Sequence, residues 1–184
     1  MIRNMNLSEA RRESVGPGGY VCRVLDTNID EKYNRLQLKV DITEGDNAGY
    51  FSRLDEKYGF WGLMANLYLD DKSTWKFANA IDAFKQSNPD FTWNDDDEND
   101  ERTLIGKYVG IIAQRKHYLG NDGKEKTKLL VYRLVPADVV RSGQYETPKD
   151  VYADELKNAA PAPTEVVDYT MPQGFVESAD EMPF

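Results

Sequence analysis

Between residues 115 and 133 cationic and aromatic side chains lie close together. Arg115, Lys116, His117 and Tyr118 run into Asn121-Asp122-Gly123, and Lys124, Lys126 and Lys128 run out of it toward Tyr132 and Arg133. Asn-Asp-Gly is a strong hairpin turn, so these side chains are expected along the edges of one ribbon. Lys and Arg can follow a row of phosphates, and a flat ring can carry a base. Each stacked base contributes about 1–3 kcal/mol to single-strand binding. Tyr118 is the leading stacking ring, supported by Tyr132 and Arg133, and His117 is a strand-end residue or a further stacking ring. The plainer alternative is a solvated hairpin whose lysines keep an edge from aggregating.

A second set is Tyr33, Arg35, Gln37 and Lys39, the last three on one strand face opposite Leu36, Leu38 and Val40. A polar outer face is expected of any such strand, so contact to a single strand is one use of it among others. Tyr50, Phe51, Tyr58, Phe60 and Trp61 form a dense aromatic run in which core and platform are not separable from sequence, whereas Trp75, Phe77, Phe91 and Trp93 flank a helix and are expected to pack. At the far end, Asp180 and Glu181 precede an apolar tip, Met182-Pro183-Phe184, whose ring and carboxylate suit an apolar pocket with a basic rim.

Sets of residues for catalysis are missing. Asp95, Asp97 and Asn99 start like a calcium loop, but Asp100 stands where glycine is needed and Gly106 where the closing glutamate is needed. One Cys and one His exclude an ordinary structural zinc site. Gly16-Pro17-Gly18-Gly19 lacks the spacing and the preceding strand of a phosphate loop. No catalytic residue, metal or cofactor is assigned, and the chain is expected not to be an enzyme.

These residues need elements to hold them. Tyr20 to Leu25 alternates, Asp26 to Asn34 is polar and turn-like, and Leu36 to Ile42 alternates strictly, so residues 19–43 are expected to form a hairpin. Gly49-Tyr50-Phe51-Ser52 is expected to start a third strand after a turn at Glu44–Asn47. Over residues 73–87 the period changes to that of a helix, with Phe77, Ala78, Ile81 and Phe84 on one face, Ser73 or Thr74 as the cap and Asn88-Pro89 as the stop. Strands resume at Lys107–Arg115 and Lys128–Val135. The expected architecture is mainly β with one helix: a five-stranded OB-fold barrel with the helix between strands 3 and 4, and a disordered acidic C-terminal tail. Residues 1–15 are an N-terminal arm, 16–149 the domain, and 150–184 the tail, which carries the extended stretch Ala159-Ala160-Pro161-Ala162-Pro163.

With 184 residues there is room for one domain and its tails. The net charge of −9 hides a partition: residues 107–149 hold nine Lys/Arg against four Asp/Glu, while residues 150–184 hold one Lys against eight acids. Charge steers a polyanion only within about 8–10 Å at physiological salt, so local sign matters more than the total. No apolar run approaches the roughly 20 residues of a membrane span, and the start lacks the apolar centre of a signal peptide. Cys22 sits in an alternating apolar pattern and is expected to be a buried small residue in a reducing cytoplasm.

The chain resembles single-stranded DNA-binding proteins encoded by phages and prophages of Gram-positive bacteria. The likeness rests on Gly18-Gly19-Tyr20-Val21-Cys22-Arg23-Val24, Val40-Asp41-Ile42-Thr43-Glu44-Gly45 with Gly49-Tyr50-Phe51, and Phe84-Lys85-Gln86-Ser87-Asn88-Pro89. It continues through Gly120-Asn121-Asp122-Gly123-Lys124, Arg141-Ser142-Gly143-Gln144-Tyr145 and the tip. Residues 53–72 carry no clear strand pattern, and the acidic run before Met182 is short, which are departures from the family. The resemblance implies an OB-fold, sequence-tolerant binding of single-stranded DNA in phage replication or recombination, and capture of replication or recombination proteins by residues 180–184. It leaves open the oligomeric state, a homodimer included. The competing expectation is an OB-fold protein–protein adaptor that does not bind DNA.

Overall fold

A computed structural model describes residues 15–157. The N-terminal arm up to residue 14 and everything after residue 157, including Asp180 to Phe184, lie outside the described residues. Period-two patterning produces the strands. In β2 (Arg35–Ile42), Leu36, Leu38 and Val40 are buried while Arg35, Gln37 and Lys39 take the opposite face. β1 (Gly18–Asp30) pairs antiparallel with β2 and, through Gly18–Arg23, with β4 (Tyr108–Leu119). β3 (Met64–Tyr68) pairs with β2, and β5 (Glu125–Val135) with β4. A short β6 (Val151–Tyr152) lies parallel to β4.

The sheet therefore runs β3-β2-β1-β4-β5, with β6 added to β4. β3 and β5 touch but share no ladder, so the sheet stays open and the expected barrel is not closed. β3 is short, and its one ladder is with β2. Inside the curve lie Cys22, Val24, Leu36, Leu38, Val40, Val109 and Ile111, with Phe84 and Ile81 from helix α2 (Thr74–Ser87). Asn88 locks that helix to the sheet: its amide donates to Phe84 O and Tyr108 O, both at 2.8 Å, and it accepts from Tyr108 N at 2.9 Å.

Several expectations need correction. Tyr50 does not start a strand; it opens helix α1 (Tyr50–Tyr58), so the molecule has more than one helix. The reason is a tertiary cap. Asp41, buried at the end of β2, accepts Phe51 N at 2.9 Å and Ser52 N at 3.1 Å, and the Ser52 hydroxyl donates to it as well. These donors at the helix start then have a charged acceptor. The third strand comes instead from Met64–Tyr68, where Ala65 and Leu67 are buried.

The polar stretch Asp26–Asp30 is not a turn: β1 continues through it after a bulge between Val24 and Asp26, and the chain reverses at Glu31–Asn34 with Asn34 left-handed at φ 47°. In α2 the buried face is Ala80, Ile81, Ala83 and Phe84, whereas Ala78 is exposed. Neither Ser73 nor Thr74 caps the helix with its side chain; Asp70 Oδ1 accepts the Ser73 amide at 2.8 Å. Phe91 is buried and Phe77 and Trp93 pack on the core, but Trp75 is 62% exposed. Cys22 is buried, and desolvation followed by the Asp41 charge pushes its thiol well above the usual range.

Candidate nucleic-acid interface

The β4–β5 hairpin turns where the sequence predicts it, with Gly123 at φ 73° and the Gly120 amide bonded to Lys124 O at 2.9 Å. Its register sorts the cations by face. Lys116 stands opposite Lys128 and Tyr118 opposite Lys126, so these four side chains share one face of the ribbon. Lys128 Nζ lies 5.1 Å from the Tyr118 ring centroid, a cation–π contact that keeps charge beside the ring. Lys126 reaches Asp122 at only 4.0 Å. Among the described residues no carboxylate is within ion-pair distance of Lys116, Lys124 or Lys128. Lys124 is exposed in the turn, where its backbone N–H and the neighbouring lysines hold Asp122 below the usual carboxylate range.

Arg115 is not part of that face. It stands opposite Leu129, with His117 opposite Thr127, on the other side of the ribbon. Arg133 sits opposite Ile112 at the base of the ribbon, and Tyr132 is the extra, exposed residue of the bulge there. Cross-strand register thus brings together Lys116, Tyr118, Lys126 and Lys128, puts Arg115 on the opposite face and leaves Arg133 at the base of the ribbon.

The Tyr33, Arg35 and Lys39 set lies on β2 and the turn before it, and its cations are already engaged. Arg35 bonds Asp30 at 2.8 Å, which raises its pKa, and its guanidinium lies 4.8 Å from the Tyr33 ring centroid. Lys39 Nζ lies 4.1 Å from the Trp61 ring centroid and 3.6 Å from Asp55. Between them Asn28, Gln37 and Asn66 form a row of amides across β1, β2 and β3, bonded at 3.1 and 3.2 Å. This face offers hydrogen bonds and the exposed Tyr33 and Tyr68 rings rather than free charge.

The sequence placed the residues up to 149 in the domain without giving an element to those after β5, and it assigned residues 150–157 to a disordered tail. The structure instead packs them on the sheet. Helix α3 (Ala137–Arg141) and Tyr145 pack on β4 and β1, so closely that a Cβ at Gly19 would lie 2.5 Å from the Tyr145 ring. Residues 150–157 then pack along β4 and end in the short helix α4 (Asp154–Lys157). Asp150 Oδ2 is 2.8 Å from His117 Nε2 and 4.0 Å from Arg115, and the Tyr152 ring stacks on His117 with centroids 4.3 Å apart. An Asp-Val-Tyr sequence in a polar stretch gives no warning of this, because its partners are 33 or more residues away.

Among the described residues no cluster of three or more His, Cys, Asp or Glu could hold a metal ion, and no helix is long and apolar enough to cross a membrane. No protein-family model matches this chain, and no curated protein matches it significantly.

Proposed function

We propose that this protein binds single-stranded DNA with little sequence preference, using the β4–β5 ribbon as its main phosphate-following surface. One observation carries the proposal: the register puts Lys116, Lys126 and Lys128 around the Tyr118 ring on one face. A positive strip beside a flat ring is what a single strand needs, since phosphates recur along it and every base has a stacking face. The β2–β3 face adds amides and tyrosines with little free charge, suited to sugar or base contacts once phosphates are held on the ribbon.

The strand order supports an OB-type fold. A five-stranded Greek-key barrel of that kind is partly open, and here the seam falls between β3 and β5, with α2 in the connection from β3 to β4. In that fold the β2–β3 face and the loops joining β1 to β2 and β4 to β5 take oligonucleotides. The acidic residues after 157, with Met182, Pro183 and Phe184, supply a partner-capturing tip for replication or recombination proteins in the cytoplasm of a bacterial host. A gel shift with labelled oligo-dT, duplex DNA and single-stranded RNA tests the proposal. Preferential retardation of oligo-dT is expected; no retardation of any of the three by the folded protein would leave the adaptor as the better account.

A further inference from the structure

β1 pairs with β4 only as far as Ala113, so the β4 edge beyond it is free for another occupant. The chain itself supplies one. Val151 and Tyr152 pair in parallel with Lys116 and His117, and Ala153 N donates to His117 O at 2.8 Å. Alternation puts Asp150 and Tyr152 on the same face as Arg115 and His117. There the Asp150 carboxylate meets the His117 imidazole at 2.8 Å and the Arg115 guanidinium at 4.0 Å. Tyr152 lies nearly parallel to the imidazole, at 16°.

The pair presents an anionic oxygen group to two nitrogen bases and a flat ring to a flat ring. A nucleotide presents the same two things, a phosphate and a base. The strap is also light: β6 is two residues long, Tyr152 is 47% exposed, and both Asp150 and Arg115 are partly exposed. Glu125, at 2.6 Å from His117 Nδ1, holds the imidazole from its other side and stays with the ribbon when the strap leaves. At the strap's far end the Asp154 carboxyl is held below its usual range, first by Lys157 and more weakly by the Lys116 charge.

We infer that Arg115 and His117 form a subsite for one nucleotide of a single strand, phosphate on Arg115 and base on His117, which Asp150 and Tyr152 fill in the free protein. This deepens the proposed single-strand binding and rests on it. The subsite lies on the ribbon face opposite Lys116 and Tyr118, and the strap covers the β4 edge between the two faces. A single strand that crosses this edge from one face to the other then displaces residues 150–157, and DNA binding is coupled to release of the chain that follows. Because a docked strap lowers the fraction of protein ready to bind, apparent affinity falls by that fraction.

The test uses the full chain and oligo-dT, with Asp150→Asn/Tyr152→Ala as the strap variant and amide exchange of Ala153 as the second readout. The variant should bind at least about threefold more tightly than wild type. In wild type, saturating oligo-dT should remove the protection of the Ala153 amide. An abasic oligomer of equal length should displace the strap less well, because it offers phosphates without rings. Equal affinity of variant and wild type, with Ala153 still protected at saturation, would overturn the subsite while leaving single-strand binding intact. Equal displacement by the abasic strand would also overturn it. Failure of both folded proteins to bind oligo-dT would instead remove the binding function on which the subsite rests.

Discussion

Asp41 shows how one side chain sets local structure. It is 5% exposed and accepts Ile42 N and Phe51 N at 2.9 Å and Ser52 N at 3.1 Å, plus the Ser52 hydroxyl. A buried carboxylate is tolerable only when donors of this kind surround it, and here they include the amides that open α1. Asp41→Ala leaves those amides without an acceptor, so it should destabilise the fold by about 1–3 kcal/mol. In urea this reads as a lower midpoint at unchanged slope; an unchanged midpoint would mean that water replaces the carboxylate without loss. The second residue is Tyr118. If bases stack on it, Tyr118→Ala should weaken oligo-dT binding by about 1–3 kcal/mol, whereas Tyr118→Trp, which keeps a ring under Lys128, should largely preserve it. Equal affinity of the alanine variant and wild type would remove the ring from the interface.

At the scale of elements, the ribbon is where charge and register act together. Replacing Lys116, Lys126 and Lys128 with Ala should flatten the dependence of log affinity on log salt by about 0.7 for each phosphate that is no longer neutralised. A folded triple variant with the wild-type slope would place the phosphates elsewhere. β2, β4, β5, α2 and the hairpin turn were legible because each declares itself locally: strict alternation in Leu36–Ile42, a helical period in Phe77–Phe84, and a glycine at the positive-φ position of the turn. α1 was not, because its cap, Asp41, lies on another element, and Tyr50-Phe51 by itself has the composition of a strand. The extension of β1 through Asp26–Asp30 was hidden by polar residues that face solvent and pair with Arg35, Gln37 and Lys39. The ribbon residues were found by spacing, but their division between two faces depends on cross-strand register and on the bulge at Ile112/Ala113. Asp150 and Tyr152 were illegible as ribbon contacts for the same reason: only the course of α3 and Tyr145 brings them back to β4.

For the whole molecule the deciding relation is between the cationic ribbon and the acids that follow it. Residues 158–184 contain Glu165, Asp168, Glu177, Asp180 and Glu181 and no Lys or Arg. Charges joined covalently to a binding surface are held at a high effective concentration, and attraction between exposed charges fades beyond a Debye length of about 8 Å at physiological salt. If the ribbon binds DNA as proposed, these acids would compete with it only weakly, because five separated carboxylates do not match a continuous row of phosphates. Deleting residues 158–184 should therefore leave oligo-dT affinity unchanged or tighten it, most clearly at low salt, and should abolish recruitment of a partner. Deleting Pro183 and Phe184 alone separates the two effects, since every acid remains: DNA binding should barely change while recruitment is lost. Titrations of the three proteins at two salt concentrations, paired with pull-down of replication proteins from the host, measure both. If removal of residues 158–184 weakened DNA binding several-fold, those residues would belong to the binding surface, and competition between acids and phosphates would be the wrong account of the charge partition.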